Sequence, residues 1–213
     1  LSLVFPFAEA AMTPTQFGGL LGRRALEVVA TFRQAASYMQ LQGEQPHLLS
    51  FDIRRAFDSV DRNRLFEILV GENIPSHLAL SIHHLTSMGT GRAFARDGLT
   101  PHYRPRFGLK QGCPLSPIVF CLCVNRLAHH TSLQGLDCLT QFIDDVHIVT
   151  DSLSRAHRLR DEVIEALLDL GFTVNPDKCS VLNLSESESC GRVLGAFLGR
   201  SSIISQKIES EIE

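Results

Sequence analysis

Two adjacent carboxylates, Asp144 and Asp145 in Phe142-Ile143-Asp144-Asp145, are the side chains of this 213-residue chain best placed to do chemistry. They sit between residues 139–143 and 146–150, runs rich in β-branched and aromatic side chains, so the spacing predicts two strands with the aspartates where one turns into the next. Two anions ~5 Å apart in an effective dielectric of about 20 repel by about 3 kcal/mol, and a cation is the usual way a fold offsets that. Mg²⁺ suits the position, because it takes oxygen ligands from one or two carboxylates and fills its shell with water and substrate phosphates. A third carboxylate from another strand would strengthen the case, and Asp52, near the end of the short apolar stretch 47–53, can supply it. Three carboxylates on two strands point to phosphoryl or nucleotidyl transfer, with nuclease, cyclase and polymerase all open. A polar turn with solvated aspartates is the competing account of the pair alone.

The elements that must position these residues follow from apolar spacing. Residues 23–39 carry Leu26, Val29, Ala30 and Phe32 at helical intervals and end at the turn 43–46; strand 47–53 follows. Asp61 is expected to cap a helix through Leu65, Phe66, Ile68 and Leu69, and Pro75 to open another through Leu78, Ile82 and Leu85. Asp97-Gly98 predicts a two-residue hairpin turn. After the tight loop 108–114, Ser116 as N-cap and Pro117 at the first helical position start a buried helix reaching about residue 130. Asp151 or Ser152 caps a helix with Ala156, Leu159, Val163, Leu167 and Leu170 inward, and Gly171 stops it. Strands over 172–175 and 179–184 come next, then the glycine-rich stretch 191–199 and an acidic tail containing Glu209, Glu211 and Glu213. The plan is α+β, a mixed sheet with helices over one face.

Composition narrows the class. With 44% hydrophobic and 20% charged residues the chain can bury a sizeable core, and no apolar run approaches the ~20 residues that span a bilayer. Six cysteines without a C-x₂-C pair suggest neither a zinc site nor a disulfide framework, and reduced thiols fit an intracellular protein. The net charge of −3 hides a segment, 89–110, in which Arg92, Arg96, Arg104, Arg106 and Lys110 face only Asp97. That segment can track a polyanion or be a solvated basic hairpin.

The order of these pieces resembles the reverse transcriptase family. Phe51-Asp52 through Ala56-Phe57-Asp58, then Gly108-Leu109-Lys110-Gln111-Gly112-Cys113-Pro114-Leu115-Ser116-Pro117, Phe142-Ile143-Asp144-Asp145, and Gly171 through Asn175-Pro176-Asp177-Lys178-Cys179 are similar to its motifs A to D in order. Leu194-Gly195-Ala196-Phe197-Leu198-Gly199 resembles motif E, and Gln16-Phe17-Gly18 with Gly22-Arg23 resembles the fingers element before motif A. The texture is that of non-LTR retrotransposon enzymes, with group II intron enzymes as neighbours.

The resemblance implies a right-hand polymerase palm with partial fingers and no thumb: partial fingers over 1–47, palm over 48–60, a helical and hairpin insertion over 61–107, palm again over 108–200, and the tail 201–213 leading toward a thumb. It implies RNA-directed DNA synthesis with two Mg²⁺ ions (Mn²⁺ as a substitute) held by Asp52, the Ile53 carbonyl, Asp144 and Asp145. Phe57 would lie under the incoming sugar and exclude a 2′-hydroxyl, Gln111 and Gly112 would contact the nucleotide, and Lys178 would give a proton to the leaving pyrophosphate. Arg104, Arg106, Lys110 and Gly195 would touch nucleic acid. Expected partners are an RNA template, a DNA or RNA primer and dNTPs, without a membrane; the expected location is intracellular, nuclear in a eukaryote. The chain departs from the pattern at Ile143, a branched residue that would crowd the primer end, and at Leu20, where the fingers element often has Arg. The triphosphate-holding fingers residues would precede Leu1 and no thumb follows Glu213, so the fragment alone is expected to lack activity. The rival functions are an RNA-templated RNA polymerase and an inactive polymerase-like RNA-binding scaffold.

Overall fold

A computed structural model describes residues 2–133, 135, 137–186 and 190–199. The acidic tail expected over 201–213 lies outside the described residues. Four strands form the central antiparallel sheet: β1 (His47–Asp52), β4 (Cys138–Phe142), β5 (Asp145–Thr150) and β6 (Ser180–Asn183), in the order β4-β5-β1-β6. Between them the chain makes the short hairpin β2 (Phe94–Ala95) and β3 (Gly98–Leu99), and after β6 the hairpin β7 (Cys190–Val193) and β8 (Ala196–Gly199). The register between β1 and β5 runs from His47↔Thr150 to Asp52↔Asp145, which sets two of the aspartates side by side at one end of the sheet.

Strand alternation divides the sheet into two buried faces. Leu49, Phe51, Val146 and Ile148 pack with helix α6 (Ser116–Asn125) and helix α8 (Leu153–Asp169), which turns Ala156, Leu159, Val163 and Leu167 inward. Leu48 and Val149 point the other way, onto Val28, Val29, Phe32 and Met39 of α2 (Ala25–Leu41), with Val193 and Leu198 of the last hairpin beside them. Helices therefore cover both faces, whereas the sequence pattern places them on one. The difference arises because α2 has too small an apolar stripe to announce its partner, while the strands alternate two apolar sets. Every residue of α6 except Pro117 is buried, as expected of a helix with no polar face. The rest of the core is closed by α1 (Phe5–Ala11), the single turn α3 (Ala56–Ser59), α4 (Leu65–Gly71) and α5 (Ser76–Ser87).

Local chemistry moves several expected boundaries. Asp61 does not cap a helix: its Oδ1 accepts the Asn63 amide two residues on (2.8 Å), and α4 starts only at Leu65. Ser116 is the first residue of α6 rather than its cap, because its hydroxyl donates back to the Lys110 carbonyl at 2.7 Å. That helix ends at Asn125 and resumes as α7 (Leu127–His130). In the basic segment Ala95 pairs with Gly98, so the turn is Arg96-Asp97 and Gly98 opens the returning strand at φ 111°, a conformation natural only to glycine. Pro75 precedes α5 as its cap residue, and Ser152 stands at the α8 cap position without a side-chain bond. Gly171, at φ 89°, does stop α8, its amide bonding Leu168 O and that of Phe172 bonding Leu167 O. The strand expected over 172–175 is reduced to one bridge, Ile53↔Val174, because Pro176 has no N–H to continue a ladder. Leu20 is buried, so the position that lacks the expected arginine belongs to the core.

Candidate active site

The β4–β5 connection has only two residues, Ile143 and Asp144, between the paired Phe142 and Asp145. Ile143 has φ 59° while Asp144 keeps a negative φ, the sign pattern of a type II′ turn, which favours glycine at its first central position. A β-branched side chain there is strained by about 1–3 kcal/mol and persists only where the surroundings impose it. The turn projects Asp144 and Asp145 toward solvent beside Asp52. Loss of water around its carboxyl, then the charges of Asp144 and Asp52, push the Asp145 pKa above the ordinary carboxylate range, although the residue as a whole remains exposed. The three aspartates thus share one electrostatic neighbourhood.

Lys178 closes that neighbourhood. It ends the 3₁₀ turn Pro176–Lys178, which is tied to β1 by the Asn175 amide donating to Asp52 O (2.9 Å), and its ammonium lies 3.3 Å from Asp52 Oδ1. Both groups reach solvent, so salt screens the pair and its contribution to stability is small. Next to Asp52, the bridge Ile53↔Val174 is made by its neighbours, Arg54 N to Thr173 O (2.7 Å) and Asn175 N to Asp52 O. The pairing therefore leaves the Ile53 carbonyl itself unused.

Phe57 lies half-buried four residues further on, stacked on Phe120 of α6 with ring centroids 4.8 Å apart, and Phe120 meets Phe172 edge-on. The loop 108–114 is stitched to the same segment by Gly108 N to Val60 O and Leu109 N to Phe57 O, each 2.8 Å. Gly108 has φ 88°, and a β-carbon there would sit 3.2 Å from the Asp58 Cα, so this close approach needs glycine. Gln111 and Gly112 are exposed on the loop's outer side, and Gly112, at φ 80°, faces open space. The structure therefore gathers Asp52, Ile53, Asp144, Asp145 and Lys178, while Phe57, four residues after Ile53, packs on Phe120 and carries the Gln111 loop. It does not draw Arg104 and Arg106 into the same cluster; both are exposed on the segment after β3, as is Lys110. Gly195 lies at the exposed tip of the β7–β8 hairpin, where Leu194 at φ 48° and Gly195 at φ 83° form a turn with two positive φ angles, as type I′ requires.

Residues 4–199 match the family model described as "Reverse transcriptase (RNA-dependent DNA polymerase)". The chain belongs to the reverse transcriptase family. Among curated relatives it is 26% identical over 178 residues to the Retrovirus-related Pol polyprotein from type-2 retrotransposable element R2DM of Drosophila melanogaster, covering 78% of this chain and 17% of that protein. It is 25% identical over 148 residues to the Pol polyprotein from type-1 retrotransposable element R2 of Nasonia vitripennis, 66% of this chain and 14% of that one. The chain thus spans under a fifth of the length of these relatives, both of them polyproteins of retrotransposable elements. Solved structures share the fold: telomerase of Candida albicans in complex with a fragment of telomeric RNA (TM-score 0.72, 15% identity, 94% of this chain and 36% of that one) and apo telomerase of Candida tropicalis truncated from its C-terminal domain (0.72, 17%, 93% and 43%). The α+β sheet with its helices is accordingly a right-hand polymerase palm with part of the fingers.

Reverse transcriptases use divalent metal ions, and the donors here are hard carboxylate oxygens that match such ions. Among the described residues no three Asp, Glu, His or Cys groups converge as a finished cation cage. The cross-strand pairing of Asp52 with Asp145 and the mutual repulsion felt at Asp145 nonetheless fit a cation, and the Lys178 ammonium supplies part of the missing positive charge. Sequence reasoning passed over Phe120, Cys121 and Asn125, all fully buried in α6. Cys121 has its thiol pKa pushed up to about 12, by burial first, with Asp144 adding to the rise. A visible signal existed only for Asn125, a polar residue closing an otherwise apolar run.

Proposed function

We propose that the protein carrying this chain is an RNA-directed DNA polymerase of a non-LTR retroelement, extending a primer on an RNA template with dNTPs. The observation that carries this is the direct cross-strand pairing of Asp52 with Asp145, with Asp144 in the adjoining turn. In this reading Asp52, Asp144, Asp145 and the Ile53 carbonyl hold two Mg²⁺ ions, with Mn²⁺ as a substitute. Bound there, such ions would neutralise charge on the attacking and leaving oxygens as the primer 3′-hydroxyl displaces pyrophosphate from the α-phosphate. Phe57, stiffened by Phe120, is the floor under the incoming sugar and selects against a 2′-hydroxyl. Gln111 and Gly112 contact the nucleotide, and Lys178, already within the site, donates a proton to the departing pyrophosphate. Arg104, Arg106, Lys110 and Gly195 meet the nucleic acid. Residues 1–47 form the partial fingers, 61–107 the helical and hairpin insertion between fingers and palm, and 48–60 and 108–200 the palm. The expected place of action is intracellular, nuclear in a eukaryote.

Primer extension by the full-length protein on an RNA template with Mg²⁺ tests the reading. Asp144→Asn should lower the rate by about a thousandfold or more, since each ~1.4 kcal/mol of lost transition-state stabilisation is tenfold. Background synthesis in the wild type, unchanged by Asp144→Asn, rejects it. Equal use of NTPs and dNTPs would instead favour the RNA polymerase, which has no need of Phe57 as a gate. RNA binding without synthesis would favour the scaffold.

A further inference from the structure

The loop between α1 and α2 takes no part in the chemistry proposed above, yet it touches the aspartate turn. Its base is pinned by Asn125. The buried carboxamide uses its whole bonding capacity. Oδ1 accepts from the Thr13 amide (2.8 Å) and hydroxyl (3.1 Å), and Nδ2 donates to Ala11 O (3.1 Å) and to Glu72 Oε2 (2.5 Å). Glu72 is itself buried at the end of α4, its other oxygen 3.7 Å from the Arg126 guanidinium. The middle of the loop runs along the edge of β4: Gln141 N donates to Thr15 O (2.8 Å), and Phe17 N donates to Gln141 O (2.7 Å). Its tip is held by two donors on one carbonyl, Gln16 Nε2 and Cys121 Sγ, each 3.3 Å from Gly18 O.

Gly18 then meets the turn itself. A β-carbon at Gly18 would lie 2.3 Å from Ile143 N, 2.7 Å from Ile143 Cγ1 and 2.9 Å from the Phe142 carbonyl carbon. The loop backbone is therefore pressed flat against the residue that holds φ 59° in the hairpin. Such strain survives where neighbours fix it from several sides, and here one of those sides is a loop anchored in buried polar bonds. We infer that the loop from Thr13 to Gly19, anchored by Asn125 and seated on Ile143 through Gly18, is a positioning brace that holds Asp144 and Asp145 in their metal-binding arrangement. The brace rests on the reading of those aspartates as metal ligands. Gly18 and Asn125 are positioning residues; neither is assigned a contact with substrate.

The test measures Mn²⁺ binding to the full-length protein by titration calorimetry, separately from synthesis, with Asp144→Asn as the reference for loss of the site. Wild type must show Mn²⁺ binding that Asp144→Asn weakens; without it the metal reading falls and the brace with it. Gly18→Ala has to displace backbone at the turn, so Mn²⁺ affinity should drop about tenfold. The Mg²⁺ concentration for half-maximal primer extension should rise to match, while primer–template affinity stays unchanged. A second variant, Glu72→Leu with Asn125→Leu, replaces a buried polar pair by apolar volume and cuts the anchor, and Arg126, which loses Glu72, is exposed enough to be solvated. It leaves the Thr13 amide and Ala11 carbonyl without that partner, so its unfolding midpoint should fall, yet it should stay folded and lose Mn²⁺ affinity several-fold. If Gly18→Ala does not fold, this double variant decides. A folded variant of either kind with wild-type Mn²⁺ affinity and wild-type Mg²⁺ dependence makes the loop merely structural and overturns the inference.

Discussion

Of the three hairpins with two-residue turns among the described residues, β4–β5 and β2–β3 could hardly be supported more differently. In β4–β5 the strands have five and six residues, lie in a four-stranded sheet buried on both faces, and tolerate isoleucine at φ 59°. In β2–β3 each strand has two residues, all four are exposed, Phe94 is 90% accessible, and the one strained position is given to Gly98. The contrast shows where strain can be kept: a turn holds an unfavourable backbone when the packing around it leaves no alternative, whereas a hairpin standing in solvent uses the residue that is not strained at all.

The sharpest way to break this contrast is to remove the packing behind the first hairpin. Phe120→Ala deletes a fully buried ring that Phe57 and Phe172 both touch, and should cost about 3–5 kcal/mol in denaturant unfolding. A loss under 1 kcal/mol would mean that the palm core is not what supports the site.

A pH titration probes the same sheet. His147, buried on β5 with Nδ1 3.0 Å from Ser50 Oγ, Phe32 edge-on and no partner for Nε2, has its pKa lowered to about 4 by burial. The unfolded chain binds a proton near pH 6.5 and the folded one only near 4, so stability is full above the first value and falls through that window on acidification. The loss is roughly 3 kcal/mol by pH 4. Unfolding midpoints from pH 7 to 4 should show it, and His147→Gln should flatten it.

The basic segment that follows the second hairpin should respond to salt instead. If Arg104 and Arg106 each meet a phosphate, the double variant to alanine reduces the slope of log affinity against log salt by about 1.4–1.8 and leaves the unfolding midpoint within about 0.5 kcal/mol. An unchanged slope would release this segment from nucleic acid. The smallest effect is expected from Gly98→Ala. It should cost about 1 kcal/mol locally, seen as faster hydrogen exchange at the Thr100 amide bonded to Ala93 O, with no change in global stability.

Legibility in the sequence tracked the same division. The aspartate turn and the helix over 153–169 could be read because period-2 and period-3.6 patterns are local properties of the residues that form them. The turn at Arg96-Asp97 was misplaced by one residue because Gly98 satisfies a strand position as readily as a turn position when φ is 111°. Which faces of the sheet are covered, and that Gly18 abuts the aspartate turn at Ile143, depend on contacts between segments far apart in the chain. Neither spacing nor composition encodes these. Asn125 shows the limit most plainly: its four hydrogen bonds reach two separate stretches, at Ala11–Thr13 and at Glu72, and only the fold brings them together.

The pairing of Thr15, Gln16 and Phe17 with Gln141 has a colloidal consequence. β4 is an edge strand, and an edge left open is a template on which a second chain can add. The stretch that steadies the turn also occupies that edge, so loosening it uncovers backbone donors and acceptors beside apolar Leu139 and Val146. Variants that free the loop should therefore lose solubility on concentration even where they remain folded.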